Sequence, residues 1–295
     1  MLINETKLIT IFIEVDDFCN AFYAWSNKKT LAGNNFRHPP GVNPKMCASE
    51  IMSVLILYQL SGYKCFEYFY TEEIVKSLNS YFPHALSYER FVARIAEVGV
   101  LMYMFCQYKS AQSERTGIYF IDSKSIKVCH LRREKQNRVF KNIATKGKSS
   151  MGWFYGLKLH IVINNKGEIV TFACSQGHVA DNNPLILNDL LGQLTGKCIG
   201  DKGYLTKLFD TFLAEGLQII TKIKKNMKNV LMTMADKLLL RKRGVIESVN
   251  DILMSVCDLE HTRHRKPENA FVAMFAALSA YAFLERKPSI KIAML

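Results

Sequence analysis

At 295 residues the chain is the length of one large domain or two ordinary ones. Hydrophobic residues at 49%, charged residues at 22%, 7 Pro and 16 Gly exclude disordered, collagen-like and low-complexity classes. The net charge of +13 is confined to one part: residues 1–120 hold eleven Lys and Arg against eleven Asp and Glu, so the whole excess lies in 121–295 and marks a boundary near residue 115.

Such an excess on one domain is the electrostatic footprint of a polyanion partner, because neutralising phosphates releases condensed counterions. The longest apolar runs, 54–58 and 271–283, fall short of the ~18–20 residues of a membrane span. The start, MLINETKLITIFIEVDD, has one Lys before a short apolar stretch and no small-residue cleavage site, so no export is expected. The eight cysteines form no CxxC pair, which argues against a structural zinc site and for reduced thiols, mostly buried.

Residues 1–115 read as a small helical bundle. Apolar residues recur at helical spacing over 8–25, 49–60, 71–81 and 88–108, with breaks at Pro39-Pro40-Gly41 and Phe82-Pro83. Ser49 ahead of the apolar run and Ser61-Gly62 after it read as the start and stop of a helix. Dimerisation or binding of a DNA end are both open roles for this domain.

After residue 115 the period changes to two. A buried-type strand over 117–121 is expected to stop at Asp122-Ser123-Lys124. Residues 153–163 and 168–174 form a hairpin around Asn164-Asn165-Lys166-Gly167, whose glycine supplies the positive φ of a tight reversal. Asp181-Asn182-Asn183-Pro184 caps a helix over 185–194. A short strand over 197–200 ends in Asp201-Lys202-Gly203, followed by a helix (205–215), a strand (217–221), a basic linker, and helices over 244–256 and 267–284. The order implies an α/β domain with a mixed sheet over 116–295.

Basic residues concentrate in two stretches. Nine Lys and Arg lie in 123–148 against Glu134 alone, and eight in 222–243 against Asp236 alone. A third cluster runs His261-Thr262-Arg263-His264-Arg265-Lys266. From these the candidate DNA contacts are Lys124, Lys127, Arg132, Arg133, Lys146, Lys148, Lys202, Arg243, Arg263 and Arg265.

Phosphodiester chemistry needs the scissile phosphate neutralised and an oxygen nucleophile activated. Two Mg²⁺ ions ~3.5–4 Å apart supply both, and hard oxygen ligands suit them. Asp122 and Asp201 at expected strand ends, with Glu247 one turn into a late helix, fit that need. Taken singly, each has a structural explanation, as a turn residue or as a complement to a helix dipole.

The chain resembles a DDE-type bacterial insertion-sequence transposase, most closely the insertion sequence 982 family. The resemblance rests on GIYFIDS (117–123), TKGKSSMGWFYGLKL (145–159), GHVADN (177–182), IGDKGYL (199–205), VIESVNDIL (245–253) and LEHTRHRK (259–266), with EVDDF (14–18) and 49–65 in the N-terminal part. It implies an RNase H-like mixed sheet with flanking helices over 116–295, preceded by a helical N-terminal domain over 1–115. It also implies Asp122, Asp201 and Glu247 as a catalytic, metal-binding triad for two Mg²⁺ or Mn²⁺ ions. The partners implied are double-stranded DNA, as element ends and target, and a second copy or higher synaptic assembly, at the nucleoid in a bacterial cytoplasm. In a related insertion-sequence group with a Tyr, Arg, Glu, Lys signature, Arg stands four residues before the Glu, as Arg243 does here, but the Tyr and Lys positions fall on Leu240 and Met254. A nuclease of the same fold without strand transfer, and a DNA-binding protein without catalysis, are the alternatives.

Further residues carry open readings. Arg243 can clamp a phosphate or pair with Glu247, and Asn250 and Asp251 share its helix face. His160 and His178 are proton shuttles or structural histidines. Trp153, amid Met151, Phe154 and Tyr155, can stack on an unpaired base, although core packing is expected for most of that cluster. Ser123 and Ser125 have no base beside them to act as nucleophiles.

Overall fold

The structure is a computed structural model describing residues 4–29, 45–222, 232–260 and 264–291. Contacts divide the chain into two compact units: Met1–Cys106 with Val256–Leu259 and Lys266–Phe283, and Gln107–Ser255 with Glu260–Arg265 and Leu284–Leu295.

The first unit is helical, with α1 (Glu5–Lys29), α2 (Ala48–Ser61), α3 (Phe66–Phe69), α4 (Tyr88–Arg94), α5 (starting at Gly99 and reaching Ala111) and, from the far end of the sequence, α10 (Pro267–Ala282). The helix expected over 71–81 is a π-helical stretch, Tyr70–Ser77. α2 starts at Cys47 rather than Ser49: the Cys47 N–H donates to Glu50 Oε2 at 2.7 Å, and the Ser49 hydroxyl instead donates to Asp16 of α1 at 2.6 Å. It ends as read, on Gly62 in the left-handed region (φ 78).

Of residues 267–284, expected in the C-terminal domain, 267–283 group with this helical unit instead. The reason is burial: α2 is apolar on nearly all sides, as is α10 through Val272, Ala276, Ala277, Ala280 and Tyr281, so each needs the other as cover. Gln59 of α2 donates to the Ala273 carbonyl at 3.4 Å. The helical run Tyr88–Ala111 is by length and composition able to cross a membrane, unlike the shorter runs weighed above. Phe91, Ile95, Val98, Leu101, Met102 and Phe105 give it a buried stripe.

The second unit is built on a six-stranded sheet. Its strands are β1 (Ile118–Cys129), β2 (Thr145–Ser149), β3 (Gly152–Asn164), β4 (Ile169–Gln176), β5 (Gly196–Gly200) and β6 (Leu217–Thr221). β3 pairs antiparallel with β1, β2 and β4, while β5 and β6 run parallel beyond β1. Antiparallel strands on one side and parallel returns on the other make the RNase H-like mixed sheet. The helices are α6 (Pro184–Leu191), α7 (Phe209–Ala214), α8 (Met234–Lys242) and α9 (Gly244–Ser255). Tyr119, Ile121, Val162, Leu187, Leu190 and Phe212 form the core cluster between the sheet and α6 and α7.

Three differences from the sequence reading affect the site. β1 does not stop at Asp122 but continues to Cys129, because the 13-residue β3 gives it a partner all along and Ile126 and Val128 are buried. β2 was not expected: its Gly147 approaches Gly177 so closely that a Cβ would lie 2.0 Å from the Gly177 carbonyl oxygen, so backbone proximity rather than an apolar pattern carries the strand. The basic linker holds α8, capped by Thr233 accepting from the Asp236 N–H at 3.1 Å; residues 223–231 of that linker lie outside the described residues. The break at Pro39-Pro40-Gly41 also lies outside them.

Candidate active site

β1 and β5 pair in parallel, in step, through Phe120↔Ile199. Asp122 and Asp201 each follow two positions later, so they stand level where the two strands part. Gly200 allows this close junction, since a Cβ there would meet Ile121 at 3.0 Å and Tyr204 at 3.2 Å. Asp122 lies within β1 rather than at its end, and β3 continues on its other side through Ile161. Asp201 is exposed at the head of a 3₁₀ turn (Lys202–Tyr204). Its carbonyl accepts from the Tyr204 N–H at 3.0 Å, and its side chain makes no cap bond.

The third acid, Glu247, comes from the first turn of α9, which follows Arg243 at the end of α8. Arg243, Glu247 and Asn250 lie four and three residues apart, hence on one helix face. Arg243 Nη2 donates to Glu247 Oε1 at 2.7 Å and Nη1 stands 3.9 Å from Asp122 Oδ1, while Asn250 Nδ2 donates to Asp122 Oδ2 at 2.9 Å. Burial pushes the Asp122 carboxyl up to about 6; Arg243 pulls it back, and the charges of Asp181 and Glu247 add to the rise. Glu247 itself is 59% exposed. Asp251, expected to share this face, is exposed, and its carbonyl accepts from the Ser255 hydroxyl.

On the other side of β1 stands a carboxylate, Asp181, that the sequence places in a helix cap and in the GHVADN block but not among the catalytic acids. Asp181 Oδ1 accepts from Ser123 Oγ at 2.8 Å and from Lys158 Nζ at 3.0 Å, and Lys158 also donates to the Val179 carbonyl at 2.9 Å. Asp181 Oδ2 lies 3.4 Å from where a Cβ on Gly203 would be, beside the turn that follows Asp201. The helix cap is Asn183, which accepts from the Leu185 N–H at 2.9 Å. The signal available in the sequence was Lys158, a charge amid the apolar residues of a buried strand.

Neither histidine reaches the carboxylates by a hydrogen bond. His160 Nε2 bonds Ser175 Oγ at 2.8 Å, and burial lowers it to about 4, so it is neutral. His178 Nδ1 bonds Thr145 Oγ1 at 2.9 Å. Ser123 is engaged by Asp181 rather than poised as a nucleophile.

The basic candidates divide. Arg132, Arg133, Lys146, Lys148, Lys202 and Arg265 are exposed and Lys124 is half-buried. Lys127 is 3.9 Å from Glu260, and Arg243 belongs to the carboxylates. Arg263, with His261 and Thr262, lies outside the described residues. Of the aromatic cluster, Phe154 and Tyr155 are core as expected, but Met151 and Trp153 are exposed.

Among the described residues no three His, Cys, Asp or Glu side chains are gathered closely enough to hold an ion. The donors nevertheless suit a hard divalent cation. All are carboxylate or amide oxygens; a guanidinium already stands between Asp122 and Glu247; and the buried Oδ1 of Asn250 has no hydrogen-bond partner.

No curated protein matches the chain. It is similar to a chain in the cryo-EM structure of a piggyBac transposase synaptic complex with hairpin DNA, at 11% identity and a TM-score of 0.48, over 92% of this chain and 71% of that one. Residues 112–267, more than half of the chain, match the family described as "Transposase DDE domain". The protein is therefore a member of the transposase DDE domain family, whose enzymes cut or exchange phosphodiester bonds with divalent metal ions.

Proposed function

We propose that the chain is the transposase of a bacterial insertion sequence, nearest the insertion sequence 982 family, acting on double-stranded DNA at the nucleoid. It binds the element ends, cleaves the 3′ strand and joins the new 3′ hydroxyl to target DNA, and bringing two ends together calls for a homodimer or larger assembly. Asp122, Asp201 and Glu247 would hold two Mg²⁺ or Mn²⁺ ions. When bound, such ions neutralise the scissile phosphate and lower the pKa of the attacking water or hydroxyl. Asn250 orients Asp122, and Arg243 is free to turn from Glu247 to a phosphate once the carboxylates are otherwise neutralised.

The observation that carries this reading is the link across to Asp122: Asn250 and Arg243 tie the Glu247 helix to it, and Asp201, like Asp122, follows two residues after the in-step pair Phe120↔Ile199. The net positive charge after residue 120 supports a DNA partner. The test is divalent-dependent nicking and joining on a duplex carrying the element terminus. Asp122→Asn, Asp201→Asn and Glu247→Gln are each expected to lower both steps at least a thousandfold while leaving end binding intact, because they keep shape and remove anionic oxygens. Full activity in any one removes that residue from the triad. Nicking without a joined product makes the protein a nuclease, and binding without nicking makes it a regulator.

A further inference from the structure

The hairpin of β2 and β3 leaves one large aromatic side chain in solvent. Trp153 is 58% exposed and Met151, at the turn, 92% exposed. Across the antiparallel ladder Trp153 pairs with Lys148 and Tyr155 with Lys146, so both lysines share a face with the indole. Their ammonium groups stand 5.0 and 5.7 Å from the ring centroid, within the ~6 Å range of cation–π attraction. Neither lysine has an acidic partner among the described residues. The flanking stretch adds Arg132, Arg133, Lys135, Arg138 and Lys141 against Glu134 alone.

The chemistry of the occupant follows. A flat apolar face suits stacking, and ammonium groups crowded on that face suit anions, which together describe a base with its phosphates. A paired base in a duplex has its faces already stacked, so the ring takes an unpaired nucleotide. Trp153 is eight residues along β3 from Ile161, the partner of Asp122, so at ~3.3 Å per residue the platform lies up to ~26 Å from that carboxylate. It is a grip on the strand away from the reacting bond.

We propose that Trp153, with Lys146 and Lys148, is a stacking site for an unpaired nucleotide of single-stranded DNA; the identity of the polymer as DNA rests on the function proposed above. On binding, the base takes the ring face and the two ammonium groups move to the adjoining phosphates.

The chain has two tryptophans, Trp25 and Trp153, so in the full chain carrying Trp25→Phe the remaining indole reports on the site. Titration with oligo-dT is expected to quench its fluorescence, and a duplex of equal length to leave it unchanged. Trp153→Ala should weaken oligo-dT binding about tenfold, Trp153→Phe much less because a ring remains, and both should leave duplex binding unaltered. Changing Lys146 and Lys148 together to Gln should reduce the salt slope for oligo-dT by about 1–2. The proposal falls if oligo-dT does not quench, if Trp153→Ala weakens duplex and single strand alike, or if oligo-rU binds the ring and oligo-dT does not. It falls too if Trp153→Ala abolishes self-association without DNA, which would make the hairpin a protein interface. Quenching that persists while end nicking fails overturns the transposase reading and leaves the stacking site standing; nicking without quenching does the reverse.

Discussion

Two carboxylates, Asp122 within β1 and Asp181 beside it on the other face, each meet a cation held in a different way. Asp181 takes a lysine from the middle of β3, 3.0 Å away and only 11% exposed, whose remaining bonds go to a backbone carbonyl. Asp122 faces an arginine from the α8–α9 junction at 3.9 Å, and that arginine bonds more closely to the exposed Glu247. One pair is built into the sheet. The other is loose, shared and under-compensated, since burial still pushes Asp122 up to about 6. A carboxylate left short of positive charge by its own fold is suited to receive it from outside, and it is at functional sites that a chain departs from full local satisfaction.

The largest effect should come from breaking the built-in pair. Lys158→Met leaves Asp181 facing a buried strand without its cation, at a cost of about 3 kcal/mol, toward the low end for buried pairs because Asp181 keeps 29% exposure. Asp181→Asn in the same chain should recover 1–2 kcal/mol of that loss by about the logic of a double-mutant cycle. Urea denaturation of the two single variants and the double variant measures both. A cost below about 1 kcal/mol for Lys158→Met would erase the distinction between the two sides of β1.

A smaller effect, on the same side, depends on pH. His160 is held neutral, its pKa lowered from 6.5 to about 4 by burial. The unfolded chain binds its proton between those values and the folded chain does not, so stability contributed by this group is present above pH 6.5 and is lost as pH falls toward 4. By pH 5 the loss should be about 2 kcal/mol. Denaturation midpoints between pH 7 and 5 should fall more steeply for the wild type than for His160→Gln. Parallel slopes would mean that His160 is charged in the folded protein and that this side of β1 is more open than its burial suggests.

The same contrast marks what the sequence could convey. The paired strands 153–163, 168–174, 197–200 and 217–221 were legible because their apolar runs and turn glycines act locally, and the helix over 244–256 because its periodicity does. The extension of β1 past Asp122 was not, because Ser123, Lys124 and Ser125 look like a turn until β3 supplies the ladder. β2 was hidden because two glycines, not side chains, decide it. The membership of α10 was hidden because charge, which set the expected boundary, says nothing about which helix covers an apolar neighbour. Asp122, Asp201, Glu247 and Arg243 stand out in the sequence by residue type and order, and the fold brings Arg243 to both Asp122 and Glu247. Asp181 does not stand out, since its partner is 23 residues away along the chain and its neighbours already explained it as a cap.

The smallest effect should come from the loose pair. Glu247 is mostly exposed and Arg243 is far from Asp122, so Arg243→Ala should cost less than about 1 kcal/mol in chelator. Its consequence should appear only when cations are supplied. If the guanidinium holds the place between Asp122 and Glu247 that a divalent ion takes, the two compete, and removing the arginine should lower the Mg²⁺ or Mn²⁺ concentration at which thermal stabilisation is half complete. If the same arginine turns to a phosphate on binding DNA, the variant should also lose about one unit of salt slope on a duplex end. A structural arginine predicts the opposite pattern: a cost above about 2 kcal/mol in chelator, an unchanged metal increment and an unchanged salt slope. Melting curves in chelator and across a divalent series, with end binding at several salt concentrations, separate these outcomes. A cation that is cheap to remove, yet alters both metal and phosphate binding when it goes, is one the fold has left free to be displaced.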